Sequence, residues 1–316
     1  MDIALTTRWN AGRHTDGAAM IDEILAMGFT SVELGYDTRL DLVEGVKRRV
    51  AEGAVRVNSV HNFCPVPMGA PRGHPELYTF ASRDPASAPW PSSTPPAPSS
   101  SRRKSRAGGG DPLRLCRGRD ADRRTGADDR RRPALLPRLR TGQAAPADRT
   151  RQARPAHLAW LEECLVQLLP VLERHGITLG MENLPSWEAV PNEAETFALI
   201  QRLRSPRLAC WHDAGHGKIR ENLGFVNVER WLERLLPHLA GMHVHDVAHR
   251  IHDHTMPPRG GEVDFARLSR FIQGDKVRVI EPTPRTPREE VVEALQFLQK
   301  TWSGPAPETQ TTQEPA

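Results

Sequence analysis

Between Met242 and Phe265 the chain reads MHVHDVAHRIHDHTMPPRGGEVDF. Five of its thirteen histidines (His243, His245, His249, His252 and His254) fall within twelve residues there, beside Asp246 and Asp253. Imidazole and carboxylate mixed in this way suit a divalent cation, because together they serve Zn, Mn, Co or Fe. A solvated histidine-rich loop has the same composition, so the question is whether other segments bring carboxylates to the same place. The run leaves an apolar segment (Leu239, Ala240, Met242, Val244) and closes on a Gly260–Gly261 turn before a helix start at Asp264. It therefore reads as a strand delivering side chains into a loop. Other β-type runs end similarly. VRVNSVHNF carries His61 near its end and ITLGMEN ends on Glu182. LACWHD ends on Asp213, with His212 beside it and His216 three residues on, and VRVIEP ends on Glu281. One acidic residue closing a strand means little, since most are simply exposed. Glu, Asp, His and Glu closing four strands in succession is hard to obtain by chance.

The elements that must position these residues alternate. DIALTT (2–7), SVELGY (31–36) and VRVNSVHNF (55–63) read as strands. Helical patterns cover 16–28 and 38–52 between them, with Asp16 as cap and Gly28 as terminator. The β-α-β-α-β opening signals a parallel sheet with crossover helices. After a long break the alternation resumes. Helices are expected over 157–176, 192–204, 228–239, 264–273 and 287–302, and strands over 177–183, 208–213, 240–246 and 277–282. Seven strands are readable where a TIM-type (β/α)8 barrel wants eight. The gap falls where the third helix and fourth strand belong, so these are expected to be missing or scrambled. In such a barrel, reacting side chains sit at the C-terminal strand ends, which is where the acids and histidines above lie.

Residues 81–156 hold no Val, Ile, Phe, Tyr or Met. They carry 17 Arg and one Lys against seven Asp, a net of +11, which leaves −7 for the rest of a chain whose total is +4. By composition this stretch is expected to be a low-complexity, disordered interruption of a single barrel domain spanning 1–302, and 303–316 a disordered tail. Out-of-frame translation of a GC-rich gene would produce such a run; so would a natural insertion or a basic nucleic-acid-binding arm. With Trp90 as its one aromatic, the segment lacks the stacking residues of a single-strand binder. Four scattered cysteines (Cys64, Cys116, Cys164, Cys210) indicate neither a zinc knuckle nor a disulfide framework. No leader or membrane span is readable, so a cytoplasmic protein is expected.

With these motifs the chain resembles the sugar phosphate isomerase/epimerase superfamily, the xylose isomerase-like TIM barrels, over about 1–80 and 157–302. That group includes ketose 3-epimerases, hydroxypyruvate isomerase, inosose dehydratase and the endonuclease IV family. The resemblance implies a metal held by Glu182 (GMENL), Asp213 (WHDAGH), His243 (MHVHD) and Glu281 (VIEP). The family's Asp-x-x-His pairing is present as Asp213 and His216. The epimerases' second Glu, six residues after the first, is matched by Glu188. Their Arg after strand seven resembles Arg250, offset by one residue, and the PPRGGEVDF turn is similar to the family's approach to helix seven. No fourth-strand residue can be assigned.

By activity, the resemblance implies a metal-dependent isomerase or epimerase of a small sugar, working by proton transfer through an enediolate. Glu182 and Glu281 would be catalytic, and His216, Glu188, Arg250 and His61 would bind substrate, although His61 is equally readable as structural. The cofactor would be one divalent ion, Mn, Co or Mg in preference to Zn. A small sugar is the expected partner; membrane and nucleic acid are not, and a homo-oligomer stays open. Alternatives are an inosose dehydratase-like lyase, an endonuclease IV-like zinc phosphodiesterase, and an inactive product of a disrupted reading frame.

Overall fold

The computed structural model describes residues 1–67, 70, 73–74, 80–81, 113–116 and 146–303. Short β-type runs and capped helices alternate as the residue pattern requires. After β1 (Ala4–Thr6), Asp16 accepts from the Ala18 N–H and opens α1 (Gly17–Leu25). Then come β2 (Ser31–Leu34), α2 (Val43–Ala51), β3 (Arg56–Val60), β4 (Leu113–Cys116), α3 (Pro146–His175) and β5 (Thr178–Glu182). Asn192 opens α4 (Glu193–Leu203) with a reciprocal capping box to Glu195. β6 (Leu208–Asp213) runs directly into α5 (Ala214–Asn222), followed by α6 (Val228–Leu235) and β7 (Leu239–Val244). A small antiparallel hairpin, β8 (Asp246–Ala248) and β9 (His252–Thr255), interrupts the order before α7 (Phe265–Leu268), β10 (Val277–Ile280) and α8 (Arg288–Trp302).

The eight strands β1, β2, β3, β4, β5, β6, β7 and β10 close into one parallel barrel, β1 pairing with both β2 and β10. This is the expected (β/α)8 architecture, with one position filled differently. LRLC, four residues inside the Arg-rich run, takes the fourth place: Leu113 pairs with Ser59 of β3, and Cys116 with Met181 of β5. Closure supplies the reason, since an open gap would leave two parallel edges with unpaired backbone groups. No helix stands between β3 and β4 among the described residues. The end of the interruption also differs from the composition reading, because α3 begins at Pro146, eleven residues before the expected start. Residues 82–112, 117–145 and the tail from 304 lie outside the described residues.

Strand alternation sorts side chains into two layers. Leu5, Val32, Leu179, Met181, Met242, Val244 and Ile280 face outward into one core shared with Ile21, Leu165, Leu199, Leu232, Leu295 and Leu298 of the helices. Each such side chain contributes about 1.5–3 kcal/mol by its burial. Inside the barrel, Trp211 packs with Ala4 and Val279. Gly241 makes this possible, because a Cβ there would lie 2.4 Å from the indole. Trp211 thus plugs the barrel just below the level at which the strands present their acids. Among the described residues no helix is long and apolar enough to cross a membrane.

Candidate functional site

The same alternation that turns Trp211 inward turns Asp213 inward two residues later, at the mouth. Glu182 ends β5, Asp213 ends β6, His243 is the penultimate residue of β7, and Glu281 follows β10. One ligand atom from each of these four lies within 4.8 Å of the others. His243 Nδ1 is 3.1 Å from Glu182 Oε1, 3.3 Å from Glu281 Oε2 and 3.8 Å from Asp213 Oδ2. None of the four is more than 1% exposed. Three carboxylates gathered in a dry space repel one another and favour a cation between them. A donor set of carboxylate oxygens with one imidazole fits a divalent ion.

Asp213 is held in place by its neighbours. Its Oδ1 accepts from the His216 N–H at 2.7 Å, capping α5, and His245 Nε2 stands 2.9 Å away. Asn183 clasps its backbone: Asn183 Oδ1 accepts from the Asp213 N–H (2.8 Å), and Asn183 Nδ2 donates to the Asp213 carbonyl (3.0 Å). Burial would raise the Asp213 carboxyl, but the His216 and His245 rings outweigh it and hold the group well below the usual carboxylate range. His243 is pulled the other way. Burial alone would lower it, yet Glu281, Glu33 and Glu182 around the ring raise it well above an ordinary histidine. Gly215 lets His245 lie against α5, since a Cβ there would meet the imidazole at 2.0 Å.

The residues expected to bind substrate part company. His216 stands over the site, with Nδ1 donating to the Asn183 carbonyl at 3.0 Å and 3.3 Å from Asp213 Oδ2. His61 is 2% exposed, stacks on His243 at 5.6 Å and lies 3.0 Å from Glu33. Glu188 sits on the loop after β5. Its carbonyl accepts from Arg154, and its Oε2 is buried with no hydrogen-bond partner among the described residues. Arg250 is not brought to the cluster. It lies exposed at the tip of the β8–β9 hairpin, with φ +71°, and its guanidinium donates to the Asn222 carbonyl at the end of α5. The hairpin turns it outward, a geometry that loop spacing alone does not reveal.

Two residues enter that the sequence analysis does not name, Glu33 and Arg8, and His254 of the histidine-rich run takes a defined place beside them. Glu33 of β2 lies behind His243. Burial would raise its carboxyl, but His243 and His61 hold it well below the usual range. Arg8, after β1, donates to Glu281 Oε1 at 3.2 Å and covers the Tyr36 ring. His254 of β9 stacks on His245 at 4.1 Å and donates from Nδ1 to the Glu281 carbonyl. A signal existed for Glu33: it stands between Val32 and Leu34, so alternation turns a carboxylate into the barrel. His249 and His252 are exposed.

A family model described as a xylose isomerase-like TIM barrel matches residues 136–301. No curated protein matches the chain in sequence. Solved structures similar in fold include a 3-keto-D-glucoside 4-epimerase from E. coli (15% identity, TM-score 0.60, covering 95% of this chain and 99% of that one). An L-ribulose 3-epimerase aligns at 12% identity and TM-score 0.61, covering 96% and 95%. A D-psicose 3-epimerase from Clostridium cellulolyticum H10 aligns at 10% and 0.60, covering 96% and 99%.

Proposed function

The chain belongs to the xylose isomerase-like TIM-barrel family, and from that premise we propose that it is a metal-dependent isomerase or epimerase of a small sugar. The observation that carries the reading is the convergence of Glu182, Asp213, His243 and Glu281 from four barrel strands. These four would hold the ion, Mn, Co or Mg in preference to Zn, since three of the donors are carboxylates. When bound, the ion supplies Lewis acidity to a substrate carbonyl. The protein's own groups move the protons. Glu182 and Glu281 approach the centre from different strands, so one carboxylate takes the proton α to the carbonyl and the other returns it, from the opposite face in an epimerase. Arg8 fixes Glu281 by its hydrogen bond to Oε1. His216 commits Nδ1 to the Asn183 carbonyl, which leaves Nε2 to meet a substrate hydroxyl. Glu188 and His61 are further candidates for substrate contact.

Two measurements test this. Metal analysis should give one ion per chain in the wild type and none in the Glu182→Gln/Glu281→Gln double variant; retained stoichiometry in the variant sinks the ligand assignment. Metal-loaded protein in heavy water should exchange deuterium into the α-carbon of a ketose from a small panel. Glu281→Gln should slow that exchange by roughly 10²–10⁴-fold. If no sugar of the panel exchanges, the proton-transfer reading is wrong.

A second reading, a multinuclear zinc phosphodiesterase, draws on the neighbouring cluster of His216, His245 and His254. It is the weaker one, because His245 has both nitrogens engaged: Nε2 on Asp213, and Nδ1 accepting from the His254 N–H. The charge of −7 outside the Arg-rich run also suits phosphate backbones poorly. Three ions per chain would favour it.

A further inference from the structure

The proposed proton transfers leave one buried carboxylate unused. Glu33 is fully buried on β2. Among the described residues its partners are a hydroxyl and two imidazoles, with no lysine or arginine. Ser59 Oγ donates to it at 2.7 Å, His61 Nε2 stands 3.0 Å away, and His243 Nε2 lies 3.2 and 3.1 Å from its two oxygens. On the opposite edge of the same ring, Nδ1 faces Glu182, Glu281 and Asp213. His243 is therefore clamped between one carboxylate at Nε2 and three at Nδ1. Trp211 meets the ring edge-on and His61 stacks on its face, so the ring has little room to turn over.

A neutral imidazole carries one proton and one lone pair, and which nitrogen has which is set by its partners. Glu33, ionised, can only accept. We infer that Glu33 is a positioning residue: it accepts the Nε2–H of His243 and so keeps the Nδ1 lone pair for an ion held between the ring and the three converging carboxylates. This rests on the metal reading above and adds to it the group that orients the sole nitrogen ligand from behind. The competing use of the same atoms is a second ion among Glu33, His61 and His243, whose ligand atoms also lie within 4.8 Å of one another. That would require His243 to offer a lone pair from both nitrogens, which a neutral ring cannot do. The proton belongs at Nε2, because three carboxylates need a cation on the Nδ1 side more than one does on the other. Carboxylates placed behind ligating histidines orient the ring and raise its basicity, and their loss typically weakens metal binding by about 10–100-fold.

The test is metal affinity, read by competition between the full-length chain and a chelating dye for Co²⁺, together with the visible spectrum of the Co²⁺ form. Glu33→Ala is expected to bind Co²⁺ roughly 10–100-fold more weakly than wild type, with shifted d–d bands. Glu33→Gln keeps an acceptor for Nε2–H but not the charge, and is expected to fall between the two. Melting of the metal-free proteins establishes that each variant folds; if Glu33→Ala does not, Glu33→Gln decides alone. Wild-type affinity and spectrum in the folded variants overturn the inference while leaving the metal reading intact. So does a wild type that binds two ions, one of them lost with Glu33. A wild type that takes up no Co²⁺ overturns the metal reading and this inference with it.

Discussion

Asp213 shows how a single carboxylate is held in place at the barrel mouth. Its side chain caps α5 and contacts His245, and its backbone is gripped on both polar groups by Asn183, which follows β5. The Asn183 pair ties the ends of two neighbouring strands at the level of the site. Asn183→Ala would leave a buried N–H and a buried C=O of Asp213 without their partners, a cost of roughly 2–3 kcal/mol. A lowered urea midpoint with an unchanged slope checks this, and an unchanged midpoint would show that water replaces the amide. The four converging residues were legible because each closes an apolar β-type run, which places it at the mouth as soon as the barrel is recognised. Glu33 was not, because attention to strand ends misses an acid that alternation turns inward one residue before the end. Arg250, which the resemblance implies beside the substrate, lies apart from the cluster in this geometry, because its φ of +71° and its bond to Asn222 turn it outward.

At the scale of elements, β6 and α5 form one unit that presents residues to both sides. Asp213 points into the barrel and His212 away from it, into the layer of α5 and α6, where its ring meets Trp231 at 5.0 Å. Gly217 of α5 leaves room for it, since a Cβ there would lie 2.6 Å from the imidazole. Burial pushes His212 down to about 3, against an ordinary value near 6.5. The folded chain therefore keeps this ring neutral while the unfolded chain protonates it below about pH 6.5. The associated stability is fully present above that pH and is lost progressively as pH falls towards 3, with a slope of at most about 1.4 kcal/mol per pH unit. His212→Leu should remove this dependence, so that between pH 7 and pH 4 the unfolding free energy of wild type falls relative to that of the variant. Parallel curves would show that His212 takes up no differential proton. The α5 helix itself escaped the sequence reading, although the residues it carries did not. AGHGKIREN has two glycines and no apolar stripe, and the helix exists because Asp213 caps it and the glycines admit His245 and His212 against its backbone.

At the scale of the whole molecule, the barrel closes through four residues that nothing in their surroundings marks as a strand. Seven strands were legible because apolar runs of four to six residues alternate with capped helices. The eighth, Leu113–Cys116, lies in a stretch of Arg, Pro, Ala and Gly whose composition argues against any regular structure. Its place is dictated by its neighbours. The edges of β3 and β5 face each other across one strand width, and a single short strand satisfies both by backbone pairing alone, whatever its side chains. If so, the backbone and not the side chains of this segment should matter. Leu115→Pro removes an N–H from a strand paired on both sides and is expected to destabilise the chain by roughly 2 kcal/mol or more. Leu115→Val, which keeps the N–H and suits a strand, should leave the denaturation midpoint nearly unchanged. Equal midpoints for the proline and valine variants would mean that β3 and β5 are not joined through this segment. A drop confined to proline would locate closure of the barrel, and with it the spacing between Glu33 on β2 and Glu182 and Asp213 at the ends of β5 and β6, in these four residues.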